Sequence, residues 1–308
     1  MTGTFVEAWL DGFDRHRFYT RTYTAEPSKA VVVFVPGFTD HIGRYEDILP
    51  RFAQRGFTVF AYDMRGFGRT ALDVEHRSPD EYYGKTNRLL EIADLEWWIA
   101  HVAREYPGAP IFLFSFSSGA ALASAFVTRT RPPPAGETVS KLSGIIAQSP
   151  LYRLHRQPSV IVRSVVRGIS RIAPAFPLPA PVLYEGVSHD PAVAKAMKND
   201  RLRMSRGTAR GLDDMISQGN ELVREDYKHW PKDLPLLMTW GKADKINCYK
   251  SGIQFFNKLE IEDKKLLEYE DALHDLLREA GEIPDKVIHE YLVWLESHAK
   301  GHRVPHGS

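Results

Sequence analysis

The sequence predicts an α/β fold: a mostly parallel central sheet with helices on both faces, interrupted by a helical cap insertion. Three observations carry this. Continuous apolar runs such as Ala30-Val31-Val32-Val33-Phe34-Val35, suited to strands buried on both faces, alternate with helical patterns. The links between them are short, as helical crossovers in a parallel sheet require. From about residue 149 to 230 no strand is evident and prolines cluster at Pro174, Pro177, Pro179 and Pro181, after which strand-helix order resumes.

Taken in order, residues 5–10 and 17–23 are β-like and flank Asp11-Gly12, a hairpin signal. Residues 30–35 form the first fully apolar strand, 45–54 a helix and 58–62 the next strand. A long amphipathic helix over 86–105 carries Leu89, Leu90, Ile92, Ala93, Trp97, Val102 and Ala103, and Pro107-Gly108 stops it. Strand 110–114, helix 119–128 and strand 144–148 follow. After the interruption come strand 235–240, helix 248–259, strand 265–269 and a closing helix over 284–298. The expected organisation is a core of residues 1–149 and 231–300, a helical cap over 150–230 and a polar tail over 301–308.

A length of 308 residues suits one large domain with an insertion, and 43% hydrophobic with 26% charged residues is an ordinary globular balance. Forty basic against thirty-nine acidic residues leave a net charge of +1, so no field favours nucleic acid. The single cysteine, Cys248, excludes an internal disulfide or a multi-cysteine metal site and fits a reducing compartment. It is expected to be a small buried core residue. The amino terminus lacks a leader pattern, and no apolar run approaches the roughly 20 residues that span a bilayer. A cytoplasmic protein, at most peripheral to membranes, is expected; oligomeric state is not legible.

Chemistry gathers at strand ends. Ile111-Phe112-Leu113-Phe114 runs into Ser115-Phe116-Ser117-Ser118-Gly119, a serine with small residues two places either side, and an alanine-rich helix follows. That is a nucleophile elbow with Ser117 at its apex. A serine hydroxyl attacks a carbonyl only when an imidazole takes its proton and a carboxylate orients the imidazole. Asp244 and His274 each follow a predicted strand, on the loops where active sites of parallel sheets gather. The order Ser117, Asp244, His274 is that of α/β-hydrolases. Taken singly, Asp244 reads equally well as a helix cap; Asp271 and Asp275 are competing acids close to His274. The backbone N–H of Ser118 and of Phe38, after Gly37, are the expected oxyanion donors. Gly37 and Phe116 are expected to border the substrate.

The stretch Pro36-Gly37-Phe38-Thr39-Asp40-His41-Ile42-Gly43-Arg44-Tyr45 resembles the His-Gly-x-x-(Glu/Asp)-His-x-x-Arg-Tyr segment of the monoacylglycerol lipase and lysophospholipase group of α/β-hydrolases, also called the serine aminopeptidase S33-like group. Asp63-Met64-Arg65-Gly66-Phe67-Gly68-Arg69-Thr70 is similar to that group's Asp-x-x-Gly-x-Gly-x-Ser turn, Ser149-Pro150 to its Ser-Pro signature, and Ser188-His189-Asp190-Pro191 with Asn199-Asp200 to its cap. The resemblance covers nearly the whole chain and implies a triad of Ser117, Asp244 and His274, with Phe38 and Ser118 as oxyanion donors. Pro36 stands where the group has histidine, and Ser115 where the elbow has glycine.

The expected function is a serine hydrolase cleaving carboxylic esters with lipid-like acyl chains, without metal or organic cofactor. The alternatives are an esterase, lactonase or thioesterase acting on a bulky metabolite, and a catalytically silent relative that binds a ligand or protein. Gly66-Phe67-Gly68-Arg69-Thr70-Ala71 also fits a dinucleotide pattern, but no helical period follows it, so a nucleotide site is not expected. His41 is expected to hydrogen-bond within its own loop. In the cap, Val160, Ile161, Val165, Ile169 and Ile172 line one side of a helix on which Arg163, Arg167 and Arg171 recur every fourth residue. It either rests on anionic lipid or packs on the core with a solvated arginine face.

Overall fold

A computed structural model describes residues 4–299. The expected polar tail lies outside the described residues. Strands β1 (Val6–Asp11), β2 (Arg17–Tyr23), β3 (Ala30–Val35), β4 (Phe57–Tyr62), β5 (Ile111–Phe116) and β6 (Leu142–Gln148) precede the cap. β7 (Pro177–Pro179) and β8 (Arg206–Thr208) lie within it, and β9 (Leu236–Gly241) and β10 (Lys264–Tyr269) follow. The helices are α1 (Leu49–Gln54), α2 (Gly68–Leu72), α3 (Arg88–Glu105), α4 (Ser118–Thr128), α5 (Gly136–Val139), α6 (Val160–Ile172), α7 (Pro191–Asn199), α8 (Ala209–Arg224), α9 (Tyr249–Lys258) and α10 (Ile283–Ala299).

The main sheet runs β1-β2-β4-β3-β5-β6-β9-β10, antiparallel at β1/β2 and β2/β4 and parallel thereafter. Side chains alternate across it: Val31, Val33, Ile111 and Leu113 enter a core shared with α3 and α4, while Val32, Phe34, Phe112 and Phe114 enter one shared with α1 and α10. Parallel strands all end on the same edge, so the segments after β3, β5, β6, β9 and β10 converge there.

Several expectations are corrected. The first hairpin turns over residues 12–16 rather than at Asp11-Gly12 alone, closed by Gly12 N–H to the His16 carbonyl at 2.7 Å. The buried side of α3 carries Leu95, Trp98 and Ile99 beside Glu91 and Asp94, whereas Leu89 is exposed. Asp94 can be buried there because Arg65 meets it at 2.6 Å. The cap is not strandless: β7 pairs with β8 antiparallel, a three-residue ladder that its two prolines hid. A five-residue helix, α2, does follow the Gly66-Phe67-Gly68 turn. Its Arg69 N–H is given to Asp63 Oδ2 at 2.7 Å, so a carboxylate of the chain itself occupies the position a phosphate would need.

Helix α6 departs most from a packed cap helix. Val160, Ile161, Val165 and Ile172 are 55–88% exposed, and Ser170 alone among its residues is buried. Its inner side meets α8, where Ser170 Oγ donates to Asp213 at 3.1 Å and Arg167 lies 3.6 Å from the same carboxylate. No helix among the described residues is long and apolar enough to cross a membrane.

Candidate active site

Ser117 occupies the single-residue joint between β5 and α4 with φ 54° and ψ −115°, a conformation costly for any residue with a Cβ. The surrounding chain over-determines it. Its N–H donates to the Gln148 carbonyl at 2.9 Å, and its own carbonyl accepts from Leu151, Ala120 and Ala121 at 2.9–3.1 Å. On the histidine side, Ser117 Oγ lies 3.0 Å from His274 Nε2, and His274 Nδ1 lies 2.8 Å from Asp244 Oδ2. All three residues are at least nine-tenths buried.

The two readings of Asp244 coexist in one carboxylate. Oδ1 accepts the N–H groups of Ile246 and Asn247 at 2.8 and 2.9 Å, as a turn-capping aspartate does, leaving Oδ2 for His274 and Trp240 Nε1. Those donors fix which oxygen faces the ring. The competing acids lie elsewhere. Asp271 is exposed, and Asp275 lies 3.5 Å from Arg44 and accepts from Gln148 Nε2 at 3.4 Å.

A Ser-His-Asp relay on loops after β5, β9 and β10 of such a sheet is the arrangement of α/β-hydrolases. The family described as serine aminopeptidase, S33 (Hydrolase_4) matches residues 26–281. The chain belongs to this family. Among its relatives, a putative monoglyceride lipase of Schizosaccharomyces pombe is 27% identical over 286 residues, 92% of this chain and 72% of that protein. A monoacylglycerol lipase of Mycolicibacterium smegmatis is 26% identical, covering 88% of this chain and 89% of that one. In fold, the chain is similar to a soluble variant of monoglyceride lipase from Saccharomyces cerevisiae solved with a substrate analogue, with TM-score 0.83, 21% identity and 97% of each chain covered.

The departures from the family pattern have local explanations. Ser115 is fully buried, and its Oγ donates to the Ile146 carbonyl of β6 at 2.9 Å, so its side chain is taken up by the sheet. The second elbow position does need glycine: a Cβ on Gly119 would collide with the carbonyl oxygens of Val35 and Pro36. Pro36 ends β3 beside that contact. Ser118 is the first residue of α4, so its N–H has no partner within the helix and lies at the positive end of the helix dipole. After Gly37 the chain turns through Phe38 and Thr39, with φ 54° at Thr39 and Asp40 N–H donating to the Gly37 carbonyl at 3.3 Å.

The loop after β3 is locked by charge. Asp40 accepts from Arg44 Nη1 and Tyr45 Oη, both at 2.7 Å, with Arg203 of the cap 3.5 Å away. Burial alone would raise the Asp40 carboxyl; Arg44 and Arg203 overcome it and hold the group well below the ordinary carboxylate range. His41 bonds within its loop through its backbone, the N–H donating to Asp40 Oδ1 at 2.9 Å, but its side chain reaches the cap instead, with Nε2 2.7 Å from Asp200 Oδ2.

A cavity of about 720 Å³ opens on Ser117 and His274. Phe38, Phe116, Leu151, Val187, Leu212 and Met215 give it largely apolar walls, Gly37 also borders it, and Arg44, Asp40 and Arg203 supply a charged end. The Phe116 ring lies 5.0 Å from the His274 ring, walling the imidazole from water on that side. Cys248 is half-buried at the start of α9 instead of in the core. Residue reading missed Asn247, Ser149 and Arg203. Ser149 left a signal in its place directly after a core strand, with φ 44°, and its Oγ donates to the His274 carbonyl at 2.9 Å. Asn247 left one in lying three residues after the acid.

Proposed function

We propose that this chain is a serine hydrolase that cleaves carboxylic esters with lipid-like acyl chains, of the monoacylglycerol lipase or lysophospholipase kind. The observation that carries the reading is the large apolar cavity opening directly on a hydrogen-bonded Ser117-His274-Asp244 relay. Ser117 Oγ attacks the ester carbonyl while its proton passes to His274 Nε2, and Asp244 holds the ring in the Nδ1–H tautomer and stabilises the imidazolium. The backbone N–H groups of Phe38 and Ser118 receive the oxyanion. Collapse expels the alcohol, protonated by His274. Water, deprotonated by the same nitrogen, then attacks the acyl-enzyme and releases the fatty acid. Gly37 and Phe116 border the scissile bond.

The relatives named as monoglyceride and monoacylglycerol lipases support a glycerol ester as substrate. The exposed apolar face of α6, with Arg163 and Arg171 on the same helix, supports peripheral contact with an anionic lipid surface, from which a chain can enter between Val162 and Val166 at the cavity wall. The test is labelling with a fluorophosphonate, alongside turnover of monoacylglycerols, aryl esters and lactones. Labelling that Ser117→Ala abolishes, with highest kcat/KM on long-chain monoacyl esters, is expected. Labelling that survives Ser117→Ala, or none at all, overturns the reading.

A further inference from the structure

We propose that Asn247 is a further catalytic residue, whose side-chain amide donates to Ser117 Oγ and stabilises that oxygen whenever it gains negative charge. The inference rests on Ser117 being the nucleophile, which the Ser117→Ala control tests separately.

An asparagine amide nitrogen has two protons, and here each has an acceptor. Nδ2 lies 2.8 Å from the Ser149 carbonyl and 3.4 Å from Ser117 Oγ. Exchanging the amide nitrogen and oxygen would set two oxygens against each other at 2.8 Å, so the Ser149 carbonyl fixes the orientation. The residue is fully buried and borders the catalytic cavity, and its Oδ1 is buried with no hydrogen-bond partner among the described residues. Leucine, of similar size, would exchange that unpaired oxygen for the Ser149 carbonyl, which would lose its donor, so satisfying the Ser149 carbonyl does not by itself favour the amide. What the amide supplies beyond that exchange is a donor at the nucleophile, which leucine lacks.

Two further features fit. The Asn247 backbone N–H holds Asp244 Oδ1 at 2.9 Å whatever side chain is present, so a substitution leaves the acid's own donors in place. The backbone of Asn247 is braced in a bridge with Leu154, next to Cys248 N–H donating to the Arg153 carbonyl at 2.8 Å. In the resting enzyme a serine hydroxyl has one proton and two lone pairs. With one lone pair accepting from Asn247, its proton is directed to His274 Nε2. During attack the bond from Oγ to the carbonyl carbon forms and the proton moves to Nε2; during deacylation that bond breaks and the electron pair returns to Oγ. Asn247 therefore serves both half-reactions, and its donor acts on the serine oxygen where Phe38 and Ser118 act on the carbonyl oxygen.

The deciding variant is Asn247→Leu. It removes the orphaned Oδ1 and leaves the Ser149 carbonyl without its donor, one unpaired oxygen for another, so the melting temperature is expected to stay close to wild type. Turnover is expected to fall roughly tenfold to a hundredfold, below the hundred- to thousandfold typical of an oxyanion donor, with KM unchanged. The rate of fluorophosphonate labelling falls by the same factor, because that reaction needs only Oγ to bond phosphorus, fluoride to leave and the proton to reach His274. The acid limb of the pH-rate profile stays in place, since no charge is changed. Asn247→Ala reads the same quantities should the leucine variant fail to fold. Turnover within twofold of wild type overturns the proposal, as does lower ester turnover with an unchanged labelling rate, which would assign Asn247 to substrate binding. A displaced acid limb also overturns it, because it would mean that Asp244 or His274 has moved.

Discussion

His41 Nε2 and Asp200 Oδ2, 159 residues apart in sequence, meet at 2.7 Å and fasten the cap to the loop that carries Phe38. Arg203 makes a second fastening, donating from Nη2 to Thr39 Oγ1 at 3.2 Å. A partly buried, charge-assisted hydrogen bond of this kind is worth about 1.5–3 kcal/mol. Asp200→Ala and His41→Ala should each lower stability by about that amount in denaturant unfolding. The double variant should lose little more than either single one, a coupling of about 1 kcal/mol or more. Additive losses would show that the pair does not act as a unit.

Asp244→Asn keeps an oxygen for the turn but presents the ring with a group that no longer demands Nδ1–H. A drop in kcat of about 10⁴-fold on a short aryl ester is expected, with the fold intact by circular dichroism.

Ser115→Gly restores the family's elbow residue and tests whether the departure concerns chemistry or packing. Since Ser115 Oγ donates to the Ile146 carbonyl, the loss of one buried hydrogen bond and a strand side chain should cost about 1–2 kcal/mol of stability. Turnover should stay within a few-fold of wild type. A gain of tenfold or more would show instead that Ser115 restrains the nucleophile.

Replacing Ile161, Val165 and Ile172 of α6 by serine should weaken sedimentation with anionic vesicles. At roughly 1.5–3 kcal/mol per large apolar side chain removed from water, even partial burial of three gives at least a tenfold effect. Hydrolysis of a soluble short-chain ester should be unchanged, because these side chains point away from the cavity wall formed by Val162 and Val166.

Stability should fall between pH 6.5 and 8 through Glu81. Burial raises its carboxyl to about 8, and His16, 3.2 Å away, is lowered to about 4 by burial and by Arg65. The folded chain holds the Glu81 proton up to about pH 8, while the unfolded chain releases it near the ordinary 4.5, so folding loses stability as pH rises across that interval. His16 acts in the opposite sense, and only between about 4 and 6.5, where the unfolded chain binds a proton that the fold refuses. Above pH 6.5 the Glu81 slope stands alone within the pair. Melting temperatures of Glu81→Gln should be flatter than wild type from pH 6.5 to 8; parallel curves would refute the assignment.

The centre of the sheet was legible because β3, β4, β5, β6 and β9 are buried on both faces, which writes continuous apolar runs such as Ala30–Val35 into the sequence. Ser117, Asp244 and His274 were legible for a related reason: parallel strands end on one edge, so position after a strand is spatial information. Partners set by tertiary approach were not. Nothing near His41 points to Asp200, and the place of Asn247 three residues after Asp244 does not say that its amide meets Ser117. The pattern of α6 reveals two faces, yet not that water meets the apolar one, since that depends on what packs against it.

Ser149 ties the floor of the site together. Its amide holds β9 through the Thr239 carbonyl, its hydroxyl holds the His274 loop, and its carbonyl holds Asn247. Any drift of this residue would misalign several groups at once, so selection has little freedom to adjust the floor piecemeal. Cap side chains that line the cavity without holding the loop after β3, such as Leu212 and Met215, are under no such constraint, and new substrates are most readily acquired by exchanging them above chemistry that stays as it is.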